Sequence, residues 1–372
     1  MSNIILYIMV LFSIIGGIDR LLDNRNGLGE RFEEGFKSMG SLAITMVGII
    51  SLSPVISQLV MPALSQLSKL TGADPSVFIS SILATDMGGY STSIEIAKSQ
   101  KMAEYTGLIL ASMMGATISF TIPISLNLIS KKDFPFFTKG ILAGIVTIPI
   151  GMVISGLIMN ISTREIWINL IPVIILSILI VIGLFKFQEI TMKIFNLLGK
   201  GIMVISFIGL LFSIIDLILG IKIIPHMAPF EEGIVIVGKI GVILSGAYPL
   251  FYIIHEKFNN KLINISKKIG INQFAILGIL SSLANCVPML AIYDKMDNKG
   301  KTINAAFAVS GAFVFGGQLG FVSGISHKAV TPFIIAKLVA GTSAILLANL
   351  LIHMEQNKDI KIKKGEMKFE SK

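Results

Sequence analysis

Charge is scarce in this chain. Only 14% of its 372 residues are Asp, Glu, Lys or Arg, where a soluble domain carries about 25%. An ordinary water-facing shell is therefore excluded. Cysteine is nearly absent, and the single Cys286 rules out an internal disulfide. Histidine is limited to His226, His255, His327 and His353, all at ends of apolar segments. No cluster of His, Cys, Asp or Glu has metal-ligand spacing. There is no Gly-x4-Gly-Lys-Ser/Thr loop to mark an ATP-driven pump, and no Gly-x-Ser-x-Gly elbow to mark a hydrolase. No cofactor and no catalytic residue is expected. The net charge of +9 gathers in loops and in the tail Lys358–Lys372. That distribution fits the basic loops of a membrane protein and gives no reason to expect nucleic acid.

What the chain has in abundance is apolar sequence. Mean hydropathy is +0.82. A helix needs roughly 20 mostly apolar residues to cross a bilayer. Segments of that length cover about 3–21, 39–60, 105–129, 140–160, 167–185, 201–221, 234–254, 303–325 and 334–353. Two more, 75–92 and 272–293, are apolar but interrupted. Residues 3–21 lack a basic start and a small-residue cleavage site, so they read as a retained first helix.

The chain also repeats itself. Phe32-Glu33-Glu34-Gly35 recurs as Phe230-Glu231-Glu232-Gly233, 198 residues later. Pro54 answers to Pro249, Gly72 to Gly270, Ala84 to Ala284, and Lys139-x3-Ala143-Gly144 to Lys337-x2-Ala340-Gly341. Two related halves in an apolar chain point to a transporter with its site where the halves meet.

Loop charge then selects a topology. If all eleven segments span and the C-terminus is cytoplasmic, Lys and Arg divide as 18 inside and 13 outside. If 75–92 and 272–293 are re-entrant, 23 of the 31 lie inside, as the positive-inside rule prefers. The expected fold is an all-α polytopic membrane protein with two inverted-topology repeats. Each repeat has about four spanning helices plus one interrupted or re-entrant segment. The expected divisions are 1–160 for the first repeat, 161–193 for a linker helix region and 194–354 for the second repeat, with 355–372 as a basic, disordered cytoplasmic tail.

The interrupted segments carry the chemistry. The first contains Thr85-Asp86-Met87-Gly88-Gly89-Tyr90. An acid inside a membrane segment costs roughly 3 kcal/mol on insertion scales and is a functional hypothesis by default. Gly88 and Gly89 are expected to break the helix and free backbone carbonyls. Such backbone survives at membrane depth only when buried in protein or lining a wet cavity. A carboxylate beside free carbonyls suits a small cation that donates hydrogen bonds, and Tyr90 and Phe78 could add cation–π contact. The competing reading has Asp86 as a helix cap. The mirror segment, Ala284-Asn285-Cys286-Val287-Pro288, offers neutral groups, with Pro288 expected to break it. One acid in two halves favours a monovalent cation. Asn285 and Gln318 are further candidate ligands, each with helix packing as the plainer alternative. Glu33, Glu34, Glu231 and Glu232 are expected to neutralise helix N-termini. The candidate substrate-binding set is Asp86, Thr85, Gly88, Gly89, Tyr90, Asn285 and Gln318.

Ala84-Thr85-Asp86-Met87-Gly88-Gly89-Tyr90 resembles the Asp-Met-Gly-Gly-aromatic motif of the ethanolamine-utilisation permease family, EutH. Phe32–Phe36, the long Gly140–Gly151 string, Gly246-Ala247-Tyr248-Pro249 and Asn304–Ser310 resemble it too. The resemblance implies a multi-pass protein of the bacterial cytoplasmic membrane that imports ethanolamine. The chain departs from the family pattern at Cys286, where an asparagine is expected. It also has Gly317-Gln318 where the pattern has Asp-His, which removes those positions from any proton relay.

The reading is a permease for protonated ethanolamine working by alternating access, with the lipid bilayer and the small cationic amine as its partners. Self-association into a homo-oligomer is compatible with the sequence. A Na⁺-coupled carrier for another small amine or amino acid is the nearest alternative. An intramembrane enzyme acting on lipid head groups is more distant, because no nucleophile, base or metal set is present for it.

Overall fold

The computed structural model of the chain describes residues 4–355, apart from 5, 254–255 and 257–269. The expected tail, beyond Glu355, and the basic loop of Lys257, Lys261, Lys267 and Lys268 lie outside the described residues. Every element among the described residues is helical. The chain runs through α1 (Ser2–Leu21), α2 (Leu28–Thr71), α3 (Ser76–Ser80), α4 (Tyr90–Ile96) and α5 (Gln100–Leu128), then α6 (Phe134–Ile158), α7 (Thr163–Lys186) and α8 (Gln188–Leu219). It continues as α9 (Phe230–Ile253), α10 (Gln273–Ala284), α11 (Cys286–Ala291), α12 (Asn298–Ser310), α13 (Gly317–Ile325) and α14 (His327–Glu355).

Seven of these helices, α2, α5, α6, α7, α8, α9 and α14, are long and apolar enough to cross a bilayer. Helices are what such a sequence must form, because hydrocarbon offers no partner to a backbone N–H or C=O. Outward-facing Trp167, Ile171, Ile175, Ile178 and Phe185 on α7 are exposed. So large an apolar surface would be a liability in water and is at home against lipid. The chain is a multi-pass membrane protein.

Helix ends are fixed locally. Ser162 and Glu165 form a reciprocal capping box at the start of α7. The α2 N-terminus is held by Asp19, whose carboxylate accepts from the N–H groups of Leu28 (2.9 Å) and Gly29 (3.0 Å). Glu33 and Glu34 do not take that role, contrary to the expectation for them. They sit in the second turn, and Asp19 already occupies the end. Glu33 pairs with Arg20 and Lys37, and Glu34 with Arg31 at 2.7 Å.

Small residues set the helix spacing, as they do where lipid removes the usual hydrophobic drive. A Cβ on Gly48 of α2 would fall 1.8 Å from the Ser206 carbonyl oxygen of α8. Along α6, Gly140 and Gly144 seat Ala305 and Val309 of α12, and Gly151 seats Ala340 of α14. This accounts for the glycine-spaced string over 140–151. Thr147 Oγ1 donates to the Ala340 carbonyl at 3.1 Å, and Thr117 Oγ1 to that of Val309 at 3.2 Å.

Both interrupted segments fold back on themselves. In the first, α3 and the stretch through α4 lie side by side, with Ser80 Oγ and Ser93 Oγ 2.7 Å apart. Its ends meet where the Lys98 N–H donates to Asp74 Oδ2 at 2.9 Å. In the second, the Asn272 N–H donates to Asp297 Oδ1 at 2.7 Å, and Asn272 Nδ2 donates to the Lys295 carbonyl at 2.8 Å.

The breaks lie upstream of where the glycines and proline suggest. The first opens at Ala84, extended at φ −63° and ψ 151°, and continues through Met87 to Gly88 at φ 91°. Gly88 thus uses the left-handed region closed to most residues, while Gly89 is right-handed at φ −57°. The second break is at Asn285, extended at φ −158°. Pro288 sits within the first turn of α11, where the missing N–H costs nothing. The segment 303–325, expected as one span, is also broken. Residues 311–316 separate α12 from α13, with Phe313 at φ 62°. Its backbone is satisfied by the second interrupted segment: the N–H groups of Phe313 and Phe315 donate to the Ser282 and Leu283 carbonyls at 2.8 and 2.9 Å. Two broken helices therefore cross and complete each other's hydrogen bonding.

Candidate functional site

The crossings converge on a cavity of about 460 Å³, within the range of small-molecule sites. Ala84, Asp86 and Met87 enter from the first interrupted segment, and Ala284 and Asn285 from the second. Phe313, Gly317 and Gln318 come from the third break, and Ser119, Phe120 and Asn127 from α5. Helices α2, α8 and α9 close the wall with residues including Ser41, Thr45, Asn196, Lys200 and Tyr248. Tyr248 and Ala284 also border a second cavity of about 440 Å³ beside Arg31, Glu34 and Tyr252, so they form a partition between the two.

Of the residues singled out in the sequence, Asp86, Asn285 and Gln318 meet on this wall. The others do not reach it. Thr85 is fully buried, with no hydrogen-bond partner for its Oγ1 among the described residues. Gly88 packs toward Ile49 and Gly89 against the Leu83 and Ala84 carbonyls. Tyr90 stacks edge-on with Phe321 at 6.1 Å. The first interrupted segment thus gives the cavity its acid, while its glycines shape the backbone behind.

Backbone geometry places Asp86. The Ala84 N–H donates to Ser119 Oγ at 3.1 Å, and the Ala84 carbonyl accepts from the Gly89 N–H at 2.8 Å. A Cβ on Gly115 would lie 2.0 Å from the Leu83 carbonyl oxygen, so α5 can approach the break only with glycine there. The helical stretch beginning at Thr85 has no side-chain cap bond. No side-chain donor from another described residue reaches the Asp86 carboxylate. In the mirror segment, by contrast, Asn285 does cap: its Oδ1 accepts from the Val287 N–H at 2.9 Å. Its amide nitrogen remains for the cavity.

One functional-looking residue escaped the sequence reading. Lys337 of α14 is only 1% exposed. Its Nζ donates to the Ser112 carbonyl at 2.7 Å and to Gln318 Oε1 at 2.9 Å, and lies 5.4 Å from the Phe333 ring centroid. Its acceptor Gln318 lines the same cavity as Asp86. The signal was available, because an ionisable residue between Ile335-Ala336 and Leu338-Val339 is a functional hypothesis by default. It had served only as a repeat landmark.

Residues 1–351 match the family model described as "Ethanolamine utilisation protein, EutH". The chain belongs to the EutH family. Among curated relatives, a Listeria monocytogenes protein named "Probable ethanolamine permease EutH" is 43% identical, over 96% of each chain. A Salmonella typhimurium protein of the same name is 36% identical over 97% of this chain and 98% of its own. The Bacillus subtilis protein YxeR, named as uncharacterized, is 41% identical over 92% of this chain and 93% of its own. No solved structure matches this chain significantly. Within this EutH-family chain, Gln318 accepts from the buried Lys337.

Proposed function

We propose that this EutH-family protein imports ethanolamine as its ammonium cation by alternating access. The observation that carries the reading is Asp86. It is a carboxylate on the wall of a membrane-embedded cavity, without a side-chain donor from another described residue, at the crossing of broken helices from both ends of the chain. A primary amine is protonated near pH 7, so the carrier must handle a small cation. Asp86 would pair with the ammonium, and Asn285 and Gln318 would meet the hydroxyl. The permease names of the relatives support the substrate, and the membrane helices support transport over catalysis.

The proposal includes two inverted repeats, 1–160 and 194–354, joined through 161–193, with the C-terminus on the cytoplasmic side of the bacterial membrane. Corresponding residues support it. Asp74 and Asn272 fasten the two folded-back segments, Ser99 and Asp297 cap the helices that follow, and each pair is 198 residues apart. Thr106 and Asn304, also 198 apart, each bond the carbonyl four residues back and reach the neighbouring segment, at Ser76 Oγ and the Ala275 carbonyl. Cysteines placed singly at Lys69 and Lys98 in a Cys286→Ala background should react with an impermeant reagent from the same side, the outside. Reaction from opposite sides would defeat this topology.

Neutral amine leaks through lipid, whereas the ammonium form needs the carrier. The growth advantage from this protein on limiting ethanolamine should therefore increase as external pH falls. An advantage greatest at alkaline pH would contradict transport of the cation. A strict Na⁺ requirement in the same cells would favour the Na⁺-coupled alternative.

A further inference from the structure

The Lys337 ammonium poses a problem for any carrier of a second ammonium. It is buried with two neutral acceptors, the Ser112 carbonyl and Gln318 Oε1. Gln318 lines the same cavity as Asp86, so one acceptor of this ammonium stands on the wall that carries the acid. Among the described residues, charged groups on the other elements against α14 have partners of their own, Glu104 of α5 with Gln100 and Lys101 with the Asn160 carbonyl among them. Lys139 of α6 pairs with Glu355, Lys301 of α12 pairs with Asp133 at 2.7 Å, and Asp19 of α1 is engaged at the α2 N-terminus. α5 contributes the buried Tyr105, whose hydroxyl donates to the Met152 carbonyl at 3.1 Å, and α13 contributes Gln318.

Asp86 is the one acid among the described residues lining the cavity, and Lys337 bonds Gln318 of the same lining. A substrate ammonium at Asp86 would leave two cations sharing one carboxylate, one of them the buried Lys337, which disfavours the charged form of one of them. The substrate sits in the cavity, where water reaches it, while Lys337 lies behind the wall. The neutral amine suits the lysine's pocket well: an –NH₂ group retains two N–H donors, one for each acceptor already in place.

We propose that Lys337 is the proton-exchanging residue of this carrier, giving up one proton when a substrate ammonium occupies Asp86 and regaining it when the substrate leaves. The step balances. Lys337–NH₃⁺ keeps its lone pair as –NH₂, its proton passes to water in the cavity lined by Asp86 and Gln318, and the substrate brings one positive charge in its place. The site's net charge is unchanged, so a full cycle exchanges one ethanolammonium for one proton without moving net charge. Lys337 acts on the substrate through Asp86 and is a positioning and proton-donating residue without touching the amine. This inference rests on the cationic-substrate reading of the cavity.

The test is calorimetric titration of ethanolamine into the purified full chain in detergent at pH 7, in two buffers of different ionisation enthalpy. Wild type should release about one proton per ethanolamine bound. Lys337→Gln keeps polar contacts without a titrating amine, and should bind with no proton release. Lys337→Arg cannot give up its proton, so it should bind at least about tenfold more weakly and also release none. Binding by wild type with identical heats in both buffers overturns the exchange while leaving the ethanolamine reading intact. Wild-type release retained in Lys337→Gln assigns the proton to another group and overturns Lys337. No binding by wild type in either buffer overturns the ethanolamine reading, and the exchange falls with it.

Discussion

Asp86→Asn is expected to lower ethanolamine affinity by about 30-fold or more. Removing one member of a buried, hydrogen-bonded charge pair costs about 2–5 kcal/mol, and about 2 kcal/mol already corresponds to that factor. Asparagine keeps the side chain's size, and the Ala84–Thr85 break does not depend on the carboxylate, since Ser119 and backbone bonds hold it. Folding should therefore survive. Lys337 loses its balancing charge in this variant but can rest as the neutral amine on Ser112 and Gln318. Asp86→Glu moves the charge within the cavity and should fall between the two. Binding to monodisperse preparations of each variant is the measurement. Wild-type affinity in Asp86→Asn would shift attention to Asn285 and Gln318.

Lys301→Met is expected to destabilise the protein by about 3–5 kcal/mol, because it strands the buried Asp133 carboxylate. The Lys301 Nζ donates to Asp133 Oδ1 at 2.7 Å, and both side chains are almost wholly shielded. The pair ties the turn before α6 to α12, the helix seated on the α6 glycines. Such a loss is a large fraction of the 5–15 kcal/mol that typically holds a fold. The double variant Asp133→Leu/Lys301→Met removes both charges and should recover most of it, because an apolar pair often replaces a buried ion pair without loss. Denaturation of the two single variants and the double in one detergent reads this as a coupling energy. A double variant no more stable than Lys301→Met would mean that the damage is steric.

Much of the architecture was legible because its causes are local. Apolar length marked seven of the nine expected spans, and the unequal distribution of lysine and arginine singled out 75–92 and 272–293, the two segments that fold back. Asp86 stood out as an acid in an apolar run. The exact breaks were not legible, because they depend on partners distant in sequence. Ala84 is extended because Ser119 takes its N–H, and residues 311–316 leave the helix because Ser282 and Leu283 offer carbonyls to Phe313 and Phe315. Gly88, Gly89 and Tyr90 proved to be neighbours of the cavity instead of its lining, since a chain that reverses can turn only a few side chains toward one space. The roles of Lys301 and Lys337 were not legible from local sequence. Only the tertiary fold shows Asp133 across from the first, and Ser112 and Gln318 around the second.

The most direct test of the central claim is an experimental structure of the protein with ethanolamine bound at mildly acidic pH. The expected result is density for the ligand in the cavity at the helix crossing, its nitrogen within about 3 Å of an Asp86 carboxylate oxygen and its hydroxyl toward Asn285 or Gln318. Ethanolamine bound elsewhere, with the Asp86 carboxylate untouched at saturating ligand, would contradict the account.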